Sequence, residues 1–175
     1  MSQTGIFFGT DTGTTRLIAK KLAKKIGETA ARPMNVNRTS VEQFMNHDSL
    51  ILGTPTYGVN QLPGKSTNIS DGSWEEFLPQ IESLDFSGKT IALYGLGDQE
   101  KYSDRFADSM IHLFHFFSQR GASLIGQWDT DGYKFDQSMA VVNGRFVGLV
   151  LDQQCQALLS EERMDNWLAE IGPQL

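Results

Sequence analysis

At 175 residues the chain is long enough for one hydrophobic core, and 39% apolar with 21% charged residues is an ordinary globular balance. A formal charge of −6 argues against nucleic acid, whose phosphates require a basic face, and suits docking onto basic proteins. With no apolar run near the ~20 residues of a membrane span, no signal-like N-terminus and a lone Cys155, the chain reads as one domain over 1–175. It is expected to be a cytoplasmic monomer without an internal disulfide, a membrane contact or a metal site.

Gly5 to Gly9, with Ile6, Phe7 and Phe8, reads as a short buried strand. Thr10-Asp11-Thr12-Gly13-Thr14-Thr15 follows, and then Leu17, Ile18, Leu22 and Ile26 recur at helical spacing up to Gly27. Met34 to Val36 is a weak strand and Val41 to Met45 a helical turn. Ser49 to Leu52 is a second buried strand, closed by Gly53-Thr54-Pro55-Thr56. The polar stretch from Tyr57 to Ser73 is too long for a simple connector, so it is either functional or mobile. Trp74 to Ile81 reads as a short helix interrupted at Pro79, and Thr90 to Leu96 as a strand ending at Gly97-Asp98. Phe106, Met110, Leu113 and Phe117 line one face of a helix predicted from Asp104 to Gln119. A strand from Ser123 to Trp128 comes next, then an alternating region in which Asn143-Gly144 signals a hairpin. A strand from Val147 to Leu151 and a helix from Ser160 to Ile171 close the order. Short apolar strands alternating with helices imply a parallel sheet covered on both faces.

The turn between the first strand and first helix carries the strongest chemical signal. A helix N-terminus offers free N–H groups and the positive end of a dipole to an anion. Four threonines within six residues exceed what a helix cap needs. No lysine follows Gly13, so this is not a Walker A loop, and the Gly-x-Gly-x-x-Gly spacing is absent. The turn therefore suits one phosphate held by neutral donors. A plain threonine-rich cap is the alternative.

Thr10-x-Thr12-Gly13-x-Thr15 after a buried strand resembles the FMN-phosphate loop of flavodoxins. Gly53-Thr54-Pro55-Thr56-Tyr57-Gly58 is similar to the family's loop over one flavin face, and Leu96-Gly97-Asp98-Gln99 with Tyr102 to the loop over the other. Residues 129–133 and 144–149 are similar to the extra segment of long-chain members. The resemblance implies a flavodoxin-like doubly wound five-stranded parallel sheet of order 2-1-3-4-5, helices on both faces, with the fifth strand interrupted by the long-chain insertion. Flavodoxin is itself an example behind the rule that places ligands at the switch point of such sheets.

The same resemblance implies FMN as cofactor and names its contacts. Thr10, Asp11, Thr12, Gly13, Thr14 and Thr15 would surround the phosphate. Thr54, Pro55, Thr56, Tyr57, Gly58 and Val59 would cover one ring face, with Leu96, Gly97, Asp98, Tyr102 and Arg105 on the other and Asp152 near the ribityl chain. Aromatic stacking by Tyr57 and Tyr102 adds about 0.5–1.5 kcal/mol each beyond burial. In the family the peptide after the first stacking residue turns over when flavin N5 gains a proton, and glycine at 58 makes a flip of Gly58–Val59 inexpensive. Asp98, Glu100 and Asp104 crowd negative charge near the second loop, which disfavours an anionic reduced flavin and predicts a low potential.

The implied function is one-electron carriage between a reductase and an acceptor, without catalysis of its own. A ferredoxin/flavodoxin reductase or a pyruvate:flavodoxin oxidoreductase would supply electrons. The insertion from Gly64 to Trp74 resembles flavodoxins that serve nitrogenase, which makes the nitrogenase iron protein the expected acceptor. Two rivals share the fold: a flavin-dependent NAD(P)H:quinone reductase, and a flavin-free receiver domain. Cys155 is expected as a packed neutral thiol, and His47, His112 and His115 as solvated or core residues.

Overall fold

The computed structural model describes residues 3–9, 13–56 and 60–175. Three apolar strands make the sheet's centre, β1 (Gly5–Phe8), β3 (Ser49–Thr54) and β4 (Thr90–Leu96), and β2 (Met34–Asn35), half-buried, lies at one edge. The fifth position holds two fragments. β5 (Ser123–Ile125) pairs with Thr90 to Ala92 of β4, and β9 (Leu149–Leu151) pairs with Tyr94 to Leu96. All these pairings are parallel, in the order β2-β1-β3-β4-β5 with β9 beside β4. The chain thus has the α/β flavodoxin-like fold with an interrupted fifth strand.

Strand alternation sends side chains to two cores. Phe7, Leu50, Leu52, Ile91, Leu93 and Val150 face α3 (Trp74–Ile81), α4 (Met110–Ser118) and Phe44 of α2 (Val41–Met45). Ile6, Phe8, Ile51, Ala92, Tyr94, Leu149 and Leu151 face α1 (Thr14–Ile26) and α5 (Ser160–Ile171). Such two-sided burial is why these strands read as continuous apolar runs. Leu17, counted in the helical pattern, is in fact 49% exposed, and the buried α1 face is Thr15, Ile18, Ala19 and Leu22.

The interruption forms a small antiparallel sheet: β6 (Trp128–Asp129), β7 (Val141–Val142) and β8 (Arg145–Phe146). Asn143 and Gly144 link β7 to β8 with φ of 54° and 81°, the pair of positive angles a tight hairpin turn requires. Three expectations need correction. β5 stops at Ile125 rather than Trp128, because Gly126 turns at φ 81° and gives its carbonyl to Trp167 Nε1 at 2.8 Å. The helix predicted from Asp104 begins at Met110. Ala107 at φ 54° blocks an earlier start, and the insertion ties down the preceding turns: Ser138 Oγ donates to the Phe106 carbonyl at 2.5 Å, and Met139 N–H to Asp108 Oδ1 at 2.7 Å. Finally, α3 runs through Pro79 to Ile81 without interruption. Its apolar face, Trp74, Phe77, Leu78 and Ile81, is buried, and this packing offsets the missing N–H.

Residues 64–73 are fastened to α3. The N–H groups of Lys65 and Ser66 donate to the carboxylates of Glu76 (3.1 Å) and Glu75 (3.0 Å), and Ser66 Oγ donates to Glu75 as well. These serine contacts hold the Glu75 carboxyl below the usual range. Ser73 N–H donates to Glu76 Oε1 at 2.8 Å, which is one half of a capping box.

Across the opposite face, Lys21 and Lys25 of α1 reach Glu161 of α5 at 2.9 and 2.8 Å, and Lys25 reaches Asp165 at 2.6 Å. The two lysines pull the Glu161 carboxyl down to about 2. A depressed folded value contributes stability above the ordinary value of 4.5 that is lost as pH falls toward 2. The Glu161 side chain is 54% exposed, so the contribution stays under about 1 kcal/mol. Urea midpoints of the wild type and Glu161→Gln should therefore differ slightly at pH 6 and converge by pH 2.

Candidate functional site

The C-terminal ends of β1, β3 and β4 meet at one edge, where three loops begin. The first loop leads into α1. Gly13, in the left-handed region at φ 85°, is the N-cap and brings no side chain of its own. Thr15, one residue into the helix, is 1% exposed, and its Oγ1 has no hydrogen-bond partner among the described residues. A buried hydroxyl left unpaired is uncommon and calls for a ligand or a cost. Tyr94 explains how Thr15 is held there: its hydroxyl, deep in the core, donates to the Thr15 carbonyl at 2.9 Å. Burial drives the Tyr94 phenol far above its ordinary value, so it remains a donor at every working pH. Of the expected phosphate contacts, Thr10, Asp11 and Thr12 lie outside the described residues.

Gly53 joins the loops. Its carbonyl accepts Gly9 N–H at 3.1 Å and Trp74 Nε1 at 2.9 Å. A Cβ at Gly53 would overlap the Tyr94 ring and hydroxyl, so glycine is what lets Tyr94 reach α1. A second buried hydroxyl, Ser73 Oγ, also lacks a partner and lies against Gly9. Ser73 was not among the expected site residues, because its place beside β1 depends on how the 64–73 segment folds back.

The second loop leaves β3 through buried Thr54 and Pro55. Thr54 Oγ1 donates to the Pro55 carbonyl at 2.8 Å, and Thr56 Oγ1 accepts Ser109 N–H at 3.2 Å. Tyr57, Gly58 and Val59 lie outside the described residues, but both flanks are anchored. Ser109 Oγ donates to the Gln61 carbonyl, and His112 Nε2 lies 2.6 Å from the Asn60 carbonyl. His112, expected in a solvated or core role, thus buttresses this loop together with Ser109. No spacing in the sequence links positions 60 and 112.

The third loop follows Leu96. Gly97 N–H donates to the Leu151 carbonyl at 3.2 Å. Asp98 Oδ1 accepts the N–H groups of Glu100 (3.1 Å) and Lys101 (3.0 Å), and Cys155 Sγ lies at 3.3 Å. The Lys101 N–H in particular holds the Asp98 carboxyl below its ordinary value, so Asp98 is charged at neutral pH. Cys155, expected as a packed thiol, is exposed; desolvation by the atoms around it, with the carboxylates of Asp98 and Asp152 nearby, still pushes the thiol up to about 11, so it is neutral at pH 7. Tyr102 is 36% exposed, with the Arg105 guanidinium 5.0 Å and the Lys101 ammonium 5.4 Å from its ring centre. Arg105 Nη1 reaches Asp104 at 3.1 Å while its Nε is buried without a partner.

Asp152, at the end of β9, is fully buried. Its Oδ2 accepts Gln99 N–H (2.9 Å) and Gln99 Nε2 (2.8 Å), and its Oδ1 accepts the N–H groups of Gln154 (3.1 Å) and Cys155 (2.9 Å). Both oxygens are therefore engaged with protein, and the carboxylate staples the Tyr102 loop to the strand beside it.

The flavodoxin family model matches residues 6–167. The chain belongs to the flavodoxin family. It is 50% identical to a flavodoxin of Klebsiella pneumoniae over 171 residues, covering 98% of this chain and 97% of the relative. A second flavodoxin of the same organism is 38% identical over 178 residues, covering 100% and 96%. A Fusobacterium nucleatum flavodoxin solved bound to flavin mononucleotide superposes with a TM-score of 0.89 at 31% identity, covering 100% of this chain and 99% of that one. Within this flavodoxin the three loops with the family motifs begin at the same sheet edge, and Thr15, Ser73 and Arg105 each keep a buried polar atom unpaired among the described residues.

Proposed function

We propose that this chain is a single flavodoxin domain that binds one FMN and carries single electrons at low potential between redox proteins. The observation that carries the reading is the unpaired Thr15 hydroxyl at the mouth of α1, which fits a phosphate oxygen, with Ser73 Oγ a further hydroxyl on the same loop's other flank. The solved Fusobacterium relative, bound to flavin mononucleotide, supports the same cofactor.

When bound, FMN supplies one-electron redox chemistry, and this chain's residues do the rest. The N–H groups around Gly13, with Thr10, Asp11, Thr12, Thr14 and Thr15, hold the phosphate without a cation in the loop. Thr54, Pro55, Thr56, Tyr57, Gly58 and Val59 would cover one side, with the described flanks Thr56 and Asn60 braced by Ser109 and His112. Leu96, Gly97, Asp98, Tyr102 and Arg105 cover the other, braced by Asp152. The charged Asp98 carboxylate on the third loop would oppose added negative charge on a bound flavin and so favour a low potential.

Thr15→Val tests the phosphate contact. The variant removes an unpaired hydroxyl, so the unfolding midpoint without FMN should stay or rise slightly. FMN affinity, read by quenching of flavin fluorescence, should fall about tenfold, the ~1.4 kcal/mol of a hydrogen bond to a charged group. Unchanged affinity would remove Thr15 from the site.

The acceptor we assign is the nitrogenase iron protein, in the cytoplasm. The chain is closer to one K. pneumoniae flavodoxin (50%) than to the other (38%), which supports a dedicated branch of the family. The 64–74 insertion supports it too, being fastened to α3 by hydrogen bonds to Glu75 and Glu76. Pre-reduced protein should transfer electrons to the iron protein faster than the general 38% relative does at matched driving force. Equal rates would leave the partner unassigned.

A further inference from the structure

A cleft of about 850 Å³ opens beside the first loop, between α1, the residues leading into and out of β2, and the 64–73 segment. Four cations line it: Arg16 and Lys20 from α1, Arg32 before β2 and Arg38 beyond it. Asp71 is the one carboxylate among the described residues of its wall, in a chain whose net charge is −6. None of the four cations enters an ion pair with the described residues. Arg16 and Lys20 stand four apart on one helix, where like charges repel unless an anion lies between them.

The wall is not merely basic. Asn37 lines the cleft, and its buried Oδ1 has no hydrogen-bond partner among the described residues. Met34 and Ile69 add apolar surface. The volume falls in the range of small-molecule sites and is concave, unlike a flat protein-docking face. Planar guanidinium groups match phosphate oxygens in pairs.

We propose that this cleft is a binding site for a small organic phosphate of the nucleoside diphosphate class, distinct from the flavin site and adjoining it at Gly13. The arginines and lysine take the phosphates, Asn37 accepts from a sugar hydroxyl or base amine, and Met34 and Ile69 contact the flat ring. The 64–73 segment would then be one wall of a ligand site.

The test uses the FMN-saturated chain and calorimetric titration with ADP, inorganic pyrophosphate and inorganic phosphate. ADP should bind one to one, at least tenfold tighter than pyrophosphate, with the flavin absorbance unchanged. The double variant R32S/R38S should weaken ADP at least tenfold while FMN content and the unfolding midpoint hold, and Lys24→Gln, a cation on α1 outside the cleft, should leave ADP binding as it was. Absence of ADP binding at millimolar concentration, equal binding by the double variant or by pyrophosphate, loss of binding in Lys24→Gln, or release of FMN by ADP would each overturn the assignment.

Discussion

Gly53→Ala is expected to destabilise the chain by several kcal/mol and to abolish tight FMN binding, although Gly53 touches no expected ligand atom. The added methyl overlaps the Tyr94 ring and its hydroxyl. Overpacking a close-fitted core costs about 1–3 kcal/mol. If Tyr94 moves to relieve it, the bond to the Thr15 carbonyl breaks and leaves a buried phenol unpaired, about 1–3 kcal/mol more. At roughly 2–4 °C per kcal/mol for a chain of this size, the melting temperature should fall by about 5–20 °C. Tyr94→Phe separates the two effects. It keeps the packing and removes only the hydroxyl, so it should show the smaller loss and a weaker FMN affinity from a loosened α1 entry. A Gly53→Ala protein with wild-type melting temperature would contradict the packing described around Tyr94.

Asp152→Ala carries the second large effect. Four N–H donors converge on that fully buried carboxylate, and removing it strands all of them. Breaking such a buried charged hub costs about 3–5 kcal/mol. The consequence for function is local: Gln99 is released, and with it the turn that presents Tyr102. Lys134 N–H, which donates to Gln99 Oε1 at 2.6 Å, loses its fixed partner too, so the insertion loosens with the loop. Circular dichroism melts should show the stability loss, and flavin fluorescence should report FMN binding weakened at least tenfold. Asp152→Asn keeps an acceptor for Gln99 and should fall between the two. Unaltered FMN affinity in Asp152→Ala would show that the Tyr102 loop holds its place without the staple.

Much of this architecture is legible in the chain because burial on both faces leaves continuous apolar runs. Ile6 to Phe8, Leu50 to Leu52 and Ile91 to Tyr94 alternate between two cores, so every position must be apolar. The hairpin at Asn143-Gly144 is legible for a local reason: both residues take positive φ. The start of α4 is not, because residues 104–109 have helical composition and are drawn into turns by bonds from residues 137–139. Site residues divide along the same line. Thr15 and Tyr102 sit in motifs that adjacent residues define. Ser73, Ser109 and His112 reach the loops only through the fold, across separations of about 50 residues for the last two, and no periodicity marks them. Asp152 lies at a family position, yet its role as a staple appears only when its four donors are in place.

The most direct test of the electron-carrier reading is a visible absorption spectrum of the purified chain during stepwise reduction under anaerobic conditions, with NAD(P)H offered separately. One FMN per chain, two resolved one-electron steps and no turnover of NAD(P)H by the protein alone are the predicted results. A colourless protein that takes up no added FMN, or steady NAD(P)H oxidation, would contradict the account.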